Sequence, residues 1–222
     1  MAVLKALVPM RHHSQRVPGK NYRDLAGKPL FHYIIQALLG VRAVQQVVVD
    51  TDSKVIKKDL RERFPDVRII DRPERLSADD VPMNEILAYD LQRVEADYYL
   101  QTHSTNPLLS SQTIREAISK FSEVQDLYDS LFSVTPLHTR LWSSEGNPLN
   151  HDPTVLQQTQ DLPPVYEENS CIYIFSKKSF LKNNNRLGHH PYLLEIDPQE
   201  SWDIDTEFDF QVCECLMDIK KG

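Results

Sequence analysis

The stretch "PLFHYIIQALLG" (29–40), lying between "VLKALVP" (3–9) and "QQVVVDTD" (45–52), decides how the chain folds. Its apolar residues run for a helical length and stop at Gly40, a residue type that commonly ends helices. The flanking runs are short, apolar and rich in β-branched residues, and polar or turn residues follow each, as expected of buried strands. Strand, helix and strand together predict a βαβ unit. Outward from it the alternation continues. A helix is expected from Ser53 to about Arg63, a strand at 67–70 ("VRII"), a helix near Asn84 to Glu95 and a strand at 97–102 ("DYYLQT"). A further helix, 111–121 ("SQTIREAISKF"), takes Ser110 or Ser111 as its N-cap. Nearer the C-terminus, "CIYIF" (171–175) and "YLLEI" (192–196) read as strands. "TEFDFQVCECLMDIKK" (206–221) reads as a closing helix capped by Thr206, with Glu207 and Asp209 in its first turn. This order predicts an α/β fold: a mainly parallel sheet with right-handed crossovers, flanked by helices.

Near residue 136 the texture changes. From "PLHTRLW" to "DLPPVYEEN" the chain is rich in Pro, Asn, Gln and His and shows little periodicity. That is too long for an ordinary connection, so 136–168 is expected to be an insertion, a lid or an oligomerisation element within a single domain spanning 1–222. With 222 residues, 41% of them hydrophobic, the chain can bury a sizeable core. No apolar run approaches a membrane span, and the start "MAVLKALVPMRHH" lacks the length and small-residue site of a signal peptide, so a cytoplasmic protein with no membrane partner is expected. Cys171, Cys213 and Cys215 have no zinc-like spacing and read as reduced residues. A formal net charge of −7 without a basic block argues against nucleic-acid binding, but a local basic loop can still attract a small anion.

Such a loop follows the first strand. "MRHHSQRVPGKN" (10–21) brings Arg11, Arg16 and Lys20 to the edge where a parallel sheet normally receives its ligand, beyond the carboxyl ends of the strands. These cations suit a polyphosphate, and Ser14 and the loop amides can donate to its oxygens. The spacing is neither that of a Walker loop nor that of a dinucleotide fingerprint. A solvated surface loop is the alternative reading of the same residues. In "SWDIDTEFDF" (201–210), Asp203 and Asp205 alternate about Ile204, which in an extended segment puts both carboxylates on one side, able to share a hard cation such as Mg²⁺. The competing reading makes these acids caps of the last helix, a role that fits Glu207 and Asp209 better. Asp50 and Asp52 end a strand at the ligand edge but also suit helix capping. His103, at the end of another strand, is the better substrate-side candidate among the histidines, with His12 and His13 as bystanders.

Taken together, six motifs resemble, in order, those of the acylneuraminate and 3-deoxy-octulosonate cytidylyltransferase family. "LVPMRHHSQRVPGKNYRDLAGKPLFHYII" resembles its N-terminal signature, an Arg-x-x-Ser loop leading to Lys-Asn and a Gly-x-Pro-Leu helix start. "VVVDTDS" resembles its second-strand motif and "DRPERLSADD" its Arg-Pro-x-x-Leu-x-x-Asp segment. "YLQTHSTNPLL" resembles Leu-Gln-x-x-Ser-x-x-Pro, "ENSCIYIF" the Asn-Gly-x-Ile-Tyr strand, and "DIDTEFDF" the terminal Asp-Ile-Asp. The likeness covers nearly the whole chain.

The resemblance implies a Rossmann-like fold of the nucleotide-diphospho-sugar transferase type, a small dimerisation segment at 136–168, and a homodimer. It also implies a reaction: the hydroxyl of an acidic, sialic-acid-like nonulosonate attacks the α-phosphorus of CTP with Mg²⁺ assistance, giving a CMP-sugar for surface glycan synthesis and pyrophosphate. By motif, Arg11 and Lys20 would hold phosphates together with Ser14 and Arg16, Asn21 and Arg72 would lie near the cytidine, and Asp203 and Asp205 would bind the metal. Gln101, His103, Tyr166 and Asn169 would face the sugar. Three positions depart from the pattern. Gln15 stands where the family usually has lysine, with Arg16 next to it, while Leu109 and Glu167 replace arginines on the sugar side. Another sugar acid, a sugar phosphate, a phosphonate or another nucleotide therefore stays open as a substrate, as does a silent nucleotide-binding protein.

Overall fold

The computed structural model describes residues 2–221. Its sheet of seven strands is built on β1 (Leu4–Pro9), β4 (Gln46–Thr51), β5 (Arg68–Asp71), β6 (Tyr98–Gln101), β7 (Ser130–Leu137), β8 (Val165–Ser176) and β9 (Pro191–Glu195), in the order β5-β4-β1-β6-β8-β7-β9. The pairs β5/β4, β4/β1, β1/β6 and β7/β9 are parallel, and β8 runs antiparallel between β6 and β7. A two-stranded ribbon, β2 (Asp24–Leu25) with β3 (Lys28–Pro29), precedes the first helix. The helices are α1 (Leu30–Leu39), α2 (Lys54–Arg63), α3 (Met83–Leu91), α4 (Ser111–Val124), α5 (Lys177–Asn183) and α6 (Glu207–Lys221). The mainly parallel α/β fold expected from the alternation is present, and no described helix is long and apolar enough to cross a membrane.

Strand periodicity divides the core between the two faces of the sheet. On β1, Leu4, Ala6 and Val8 pack with Phe31, Ile34, Ile35 and Leu38 of α1, while Leu7 joins Leu87 and Leu91 of α3 on the other face. Val47 and Val49 of β4 likewise face opposite to Val48. Ser53 and Ser110 cap α2 and α4 by accepting from Ile56 N and Thr113 N, as serines at N-caps do. Thr206 Oγ1 accepts from Asp209 N, and the Asp209 carboxylate returns to Thr206 N at 2.7 Å, a reciprocal cap at the start of α6.

Three expectations change. The strand β7 was not foreseen: Ser130, Ser133 and Pro136 break its apolar pattern. Because β7 reaches Leu137 and β8 begins at Val165, the ends of the expected 136–168 insertion are paired strands, and the irregular segment is 138–164. The helix foreseen to Glu95 stops at Leu91, where Gln92 caps it.

Candidate active site

The carboxyl ends of β1, β4, β5 and β6 open onto a cleft of about 500 Å³ whose lining includes Arg11, Ser14, Gln15, Arg16, Lys20, Asn21, Arg72, His103, Asp203 and Asp205. The basic loop and the Asp-Ile-Asp segment, some 190 positions apart in the chain, therefore face each other across one cavity. Several anchors hold the loop. His12 N donates to Asp52 Oδ1 at 2.7 Å, and Asn21 Nδ2 donates to Arg11 O at 2.8 Å while its Oδ1 accepts from Ser104 Oγ. Gly19 turns at φ 66°, a left-handed conformation that glycine adopts without strain, and a Cβ there would meet the Tyr22 ring at 2.9 Å. Beyond the loop, Arg23 forks onto Glu207 through two 2.7 Å bonds and so ties the loop to the start of α6.

Ile204 is fully buried beside Val17, Leu25 and Phe210, which turns its neighbours Asp203 and Asp205 into the cleft. Asp205 Oδ1 accepts from Arg16 Nη2 at 2.8 Å and lies 3.4 Å from Lys20 Nζ, which also donates to Ile204 O at 2.6 Å. Asp203 is different. Thr105 hydrogen-bonds its carboxylate, but its Oδ1 is buried without a donor, and burial with the nearby Asp205 charge pushes its pKa up. A buried carboxylate oxygen with no donor, beside a second carboxylate, suits a divalent cation. Capping of α6 falls to Asp209 instead. Among the described residues no cluster of three or more His, Cys, Asp or Glu side chains forms a metal cage. These two carboxylates are the side chains of the cleft that could hold a divalent cation, which would need further oxygen ligands from outside the protein.

A second cavity, of about 410 Å³, shares Ser170 and Asp203 with the first and is also lined by Thr135, Glu167, Glu168, Asn169, Ser201 and Trp202. The register of β7 against β8 shifts between Phe132 and Val134, next to it. Ser133 Oγ donates to Asn169 Oδ1 and accepts from Ile172 N, Asn169 Nδ2 donates to Thr135 Oγ1, and Ser170 takes φ 60°.

The expected sugar-facing residues do not all reach these cavities. Asn169 and His103 do. Gln101 is fully buried behind the wall, and Tyr166 points away, its hydroxyl donating to Glu195 at 2.7 Å. Gln101 receives its hydrogen bond from Arg186, whose Nη1 also lies 3.4 Å from His103 Nε2. Enclosure first, then Arg186 and Lys20, lowers the His103 pKa to about 3, so the imidazole is neutral. With Nε2 facing a guanidinium, its proton belongs on Nδ1. Asp79 bonds both Arg11 and Gln15 across the cleft. Asp50 grips Arg72 and does not cap α2. Arg186, Asp79 and the role of Asp50 escape sequence reading because all three are long-range partnerships with no local pattern.

The chain has recognisable relatives among known proteins. The family model described as cytidylyltransferase matches residues 5–220. The CMP-N,N'-diacetyllegionaminic acid synthase of Legionella pneumophila is 33% identical over 97% of both chains. N-acylneuraminate cytidylyltransferase A of Danio rerio is 28% identical over 95% of this chain, which spans 50% of that longer protein. Among solved structures, a CMP:2-keto-3-deoxy-manno-octonic acid synthetase complexed with CTP superposes with a TM-score of 0.71 at 16% identity, covering 99% of this chain and 100% of the other.

Proposed function

The chain belongs to the cytidylyltransferase family, and on that premise we propose that it transfers CMP from CTP to an acidic, nonulosonate-type sugar, releasing pyrophosphate. The acceptor hydroxyl attacks the α-phosphorus, the new bond joins sugar oxygen to that phosphorus, and the bond to the oxygen bridging the α- and β-phosphates breaks. The pyrophosphate leaves with that electron pair, and the hydroxyl proton passes to solvent or to a cleft carboxylate. The observation that carries this reading is the orphaned Oδ1 of Asp203, set at the shared wall of two cavities, one of them rimmed by the loop cations.

Each side chain has a task. Arg11, Arg16 and Lys20 neutralise the triphosphate and the charge that develops on the leaving group, and Ser14 donates to a phosphate oxygen. Asn21 keeps the loop carbonyl of Arg11 in place. Arg72 lies at the nucleoside end of the cleft, beside Leu76 and Met83. Asp203 and Asp205 would hold Mg²⁺, which when bound polarises the phosphoryl group and orients the acceptor oxygen. Asn169, and His103 as an Nδ1–H donor, face the acceptor side; Gln101 acts behind them as the partner of Arg186. We also propose a homodimer assembled through the 138–164 segment, which exposes Trp142, Leu149, Val155 and Leu156, the last at 93%.

The test is pyrophosphate release with Mg²⁺, offering CTP, UTP, GTP and ATP against nonulosonates, octulosonates, sugar 1-phosphates and phosphonates, with products identified by mass. Release with CTP and a nine-carbon acid is expected. Release with another pair keeps the transfer chemistry and overturns the substrate assignment, whereas CTP binding without release from any pair overturns the transferase reading. Size measurement by light scattering, with Leu156→Asp as the interface variant, tests the dimer.

A further inference from the structure

Below the nucleoside end of the cleft, three ionisable side chains from separate elements meet. Asp50 at the end of β4 is fully buried, Asp90 in the last turn of α3 nearly so, and Arg72 just past β5 reaches both the cleft and Asp50. Arg72 Nε donates to Asp50 Oδ1 at 2.8 Å, and Nη2 donates to Asp50 O at 3.2 Å. The Asp90 carboxyl lies beside that of Asp50, within reach of a hydrogen bond should one of the two carry a proton. Yet if both were carboxylates, Asp50 Oδ2 and the two Asp90 oxygens would all be buried without a donor, with only the Arg72 guanidinium bonded to the pair. Burying an oxygen without a donor and holding like charges in contact are both unfavourable. One proton removes most of that cost.

We propose that Asp90 is a protonated acid whose O–H donates to Asp50 Oδ2, and that this pair fixes the Arg72 guanidinium against the cleft, making Asp50 and Asp90 positioning residues for the bound nucleotide. The proton belongs on Asp90 because Arg72 already stabilises charge on Asp50. Burial first, then the Asp50 charge, pushes the Asp90 carboxyl up to about 9, and Arg72 and Arg93, the cations that face it, pull it down less. The cluster then sums to zero charge: one guanidinium, one carboxylate, one neutral acid. Asp50 accepts on both oxygens, and neither bond from Arg72 uses Nη1, which remains for the cleft. An ionised Asp90 would compete with Asp50 for the same guanidinium and draw it inward.

The role of Arg72 rests on the nucleotide reading given above, so the experiment has two arms. In the first, carbon-13 NMR of labelled aspartate side chains, with Asp90 assigned by its loss in Asp90→Asn, is expected to show a protonated Asp90 at pH 7. A carboxylate shift at that pH overturns the proposal. The second arm measures CTP binding by calorimetry. Asp90→Asn, whose amide can donate to Asp50 Oδ2, is expected to bind within about threefold of wild type. Asp90→Leu should bind at least about tenfold more weakly with its circular dichroism intact. Asp50→Asn should also weaken binding, and it should lower the pKa of Asp90 while burial still holds it above the ordinary acid range, which keeps the arm decisive where Asp90→Leu does not fold. Wild-type affinity in both Asp90→Leu and Asp50→Asn overturns the positioning role while the nucleotide reading stands. A wild-type protein that binds no CTP overturns both the nucleotide reading and this role for Arg72, and the NMR arm still decides the buried proton.

Discussion

Replacing Arg186 by Met should destabilise the fold by about 2 kcal/mol and impair the acceptor side more than the nucleotide side. Arg186 lies in the turn after α5, its side chain 15% exposed. Its guanidinium donates to the fully buried Gln101, lies 3.4 Å over the Tyr173 ring and 3.7 Å from Glu168 Oε1. Losing it leaves the Gln101 oxygen without that donor inside the protein, worth about 1–3 kcal/mol, and removes a desolvated cation–π contact of about 1–2 kcal/mol. Two gains offset this. Burial, the largest influence on Arg186, already lowers its pKa, so the charge is held at a cost that Met escapes, and the Met thioether packs well on Tyr173. Glu168 is half exposed and returns to water at little cost. The net of about 2 kcal/mol corresponds to a Tm lowered by about 4–8 °C for a chain of this size. Scanning calorimetry measures it, and steady-state kinetics should show KM for the acceptor rising about tenfold with KM for CTP within about threefold. A Tm within about 2 °C of wild type, or a larger rise in KM for CTP than for the acceptor, would refute this account of how Arg186 works.

The other predictions concern the loop, the carboxylates and one turn. Asp203→Asn should lower kcat by roughly a thousandfold, the scale of several kcal/mol of lost metal assistance, with Tm unchanged or raised; full activity in the variant sinks the metal assignment. Gln15→Lys should change KM for CTP less than about threefold, because Arg11 and Arg16 already flank the phosphate path, and a gain of many fold in kcat/KM would show that the charge at position 15 is needed. Asp90 has a folded pKa of about 9 against an ordinary 3.8, so its contribution to stability is whole below about pH 4 and is lost as pH rises toward 9. Urea titrations should therefore show wild type losing up to about 1.4 kcal/mol per pH unit relative to Asp90→Asn across that window, and parallel pH profiles would contradict it. Gly188→Ala should cost about 2–4 kcal/mol, since φ is +71° and the new Cβ would lie 2.4 Å from Asp129 Oδ1, whose carboxylate accepts from His189 N and His190 N; a Tm within about 2 °C of wild type would show that the turn relaxes.

How much of this was legible depends on the range of the interaction that fixes each residue. Caps are local, so Ser53, Ser110 and Thr206 could be found from spacing alone. The alternation of Asp203, Ile204 and Asp205 is a period-two signal, and the structure keeps it, with Ile204 in the core and both acids in the cleft. The strand β7 was hidden because Ser130 and Ser133 occupy positions where an apolar pattern was sought. Both are buried, Ser130 bonded to Leu187 O and Ser133 to the bulge. Gln101 carried the right motif but turns inward to meet Arg186, 85 positions away, and no local pattern encodes that partnership. Asp50 read as a capping acid because capping is the commonest local use of such a residue, whereas its actual partners lie on two other elements.

The distribution of charge then explains how the chain can serve two anionic substrates while carrying a net −7. Cations gather at the first cavity, where Arg11, Arg16, Lys20 and Arg72 line the space proposed for the nucleotide. Each is paired with an acid, Asp79, Asp205 or Asp50. The second cavity has the opposite character. Glu167, Glu168, Asp203 and Asp209 line it, with Thr135, Asn169 and Ser201 as neutral partners, and no lysine or arginine is among its lining residues. If this is the acceptor site, as proposed, an acidic sugar gains little there from long-range attraction, and hydrogen bonding and shape must select it. Arg186 touches that wall through Glu168, which screens its charge from the cavity. The Tyr173 hydroxyl and the Arg186 guanidinium both hold Glu168, and on the proposed acceptor placement a Glu168 freed from both would set an unpaired carboxylate against the carboxylate of the substrate.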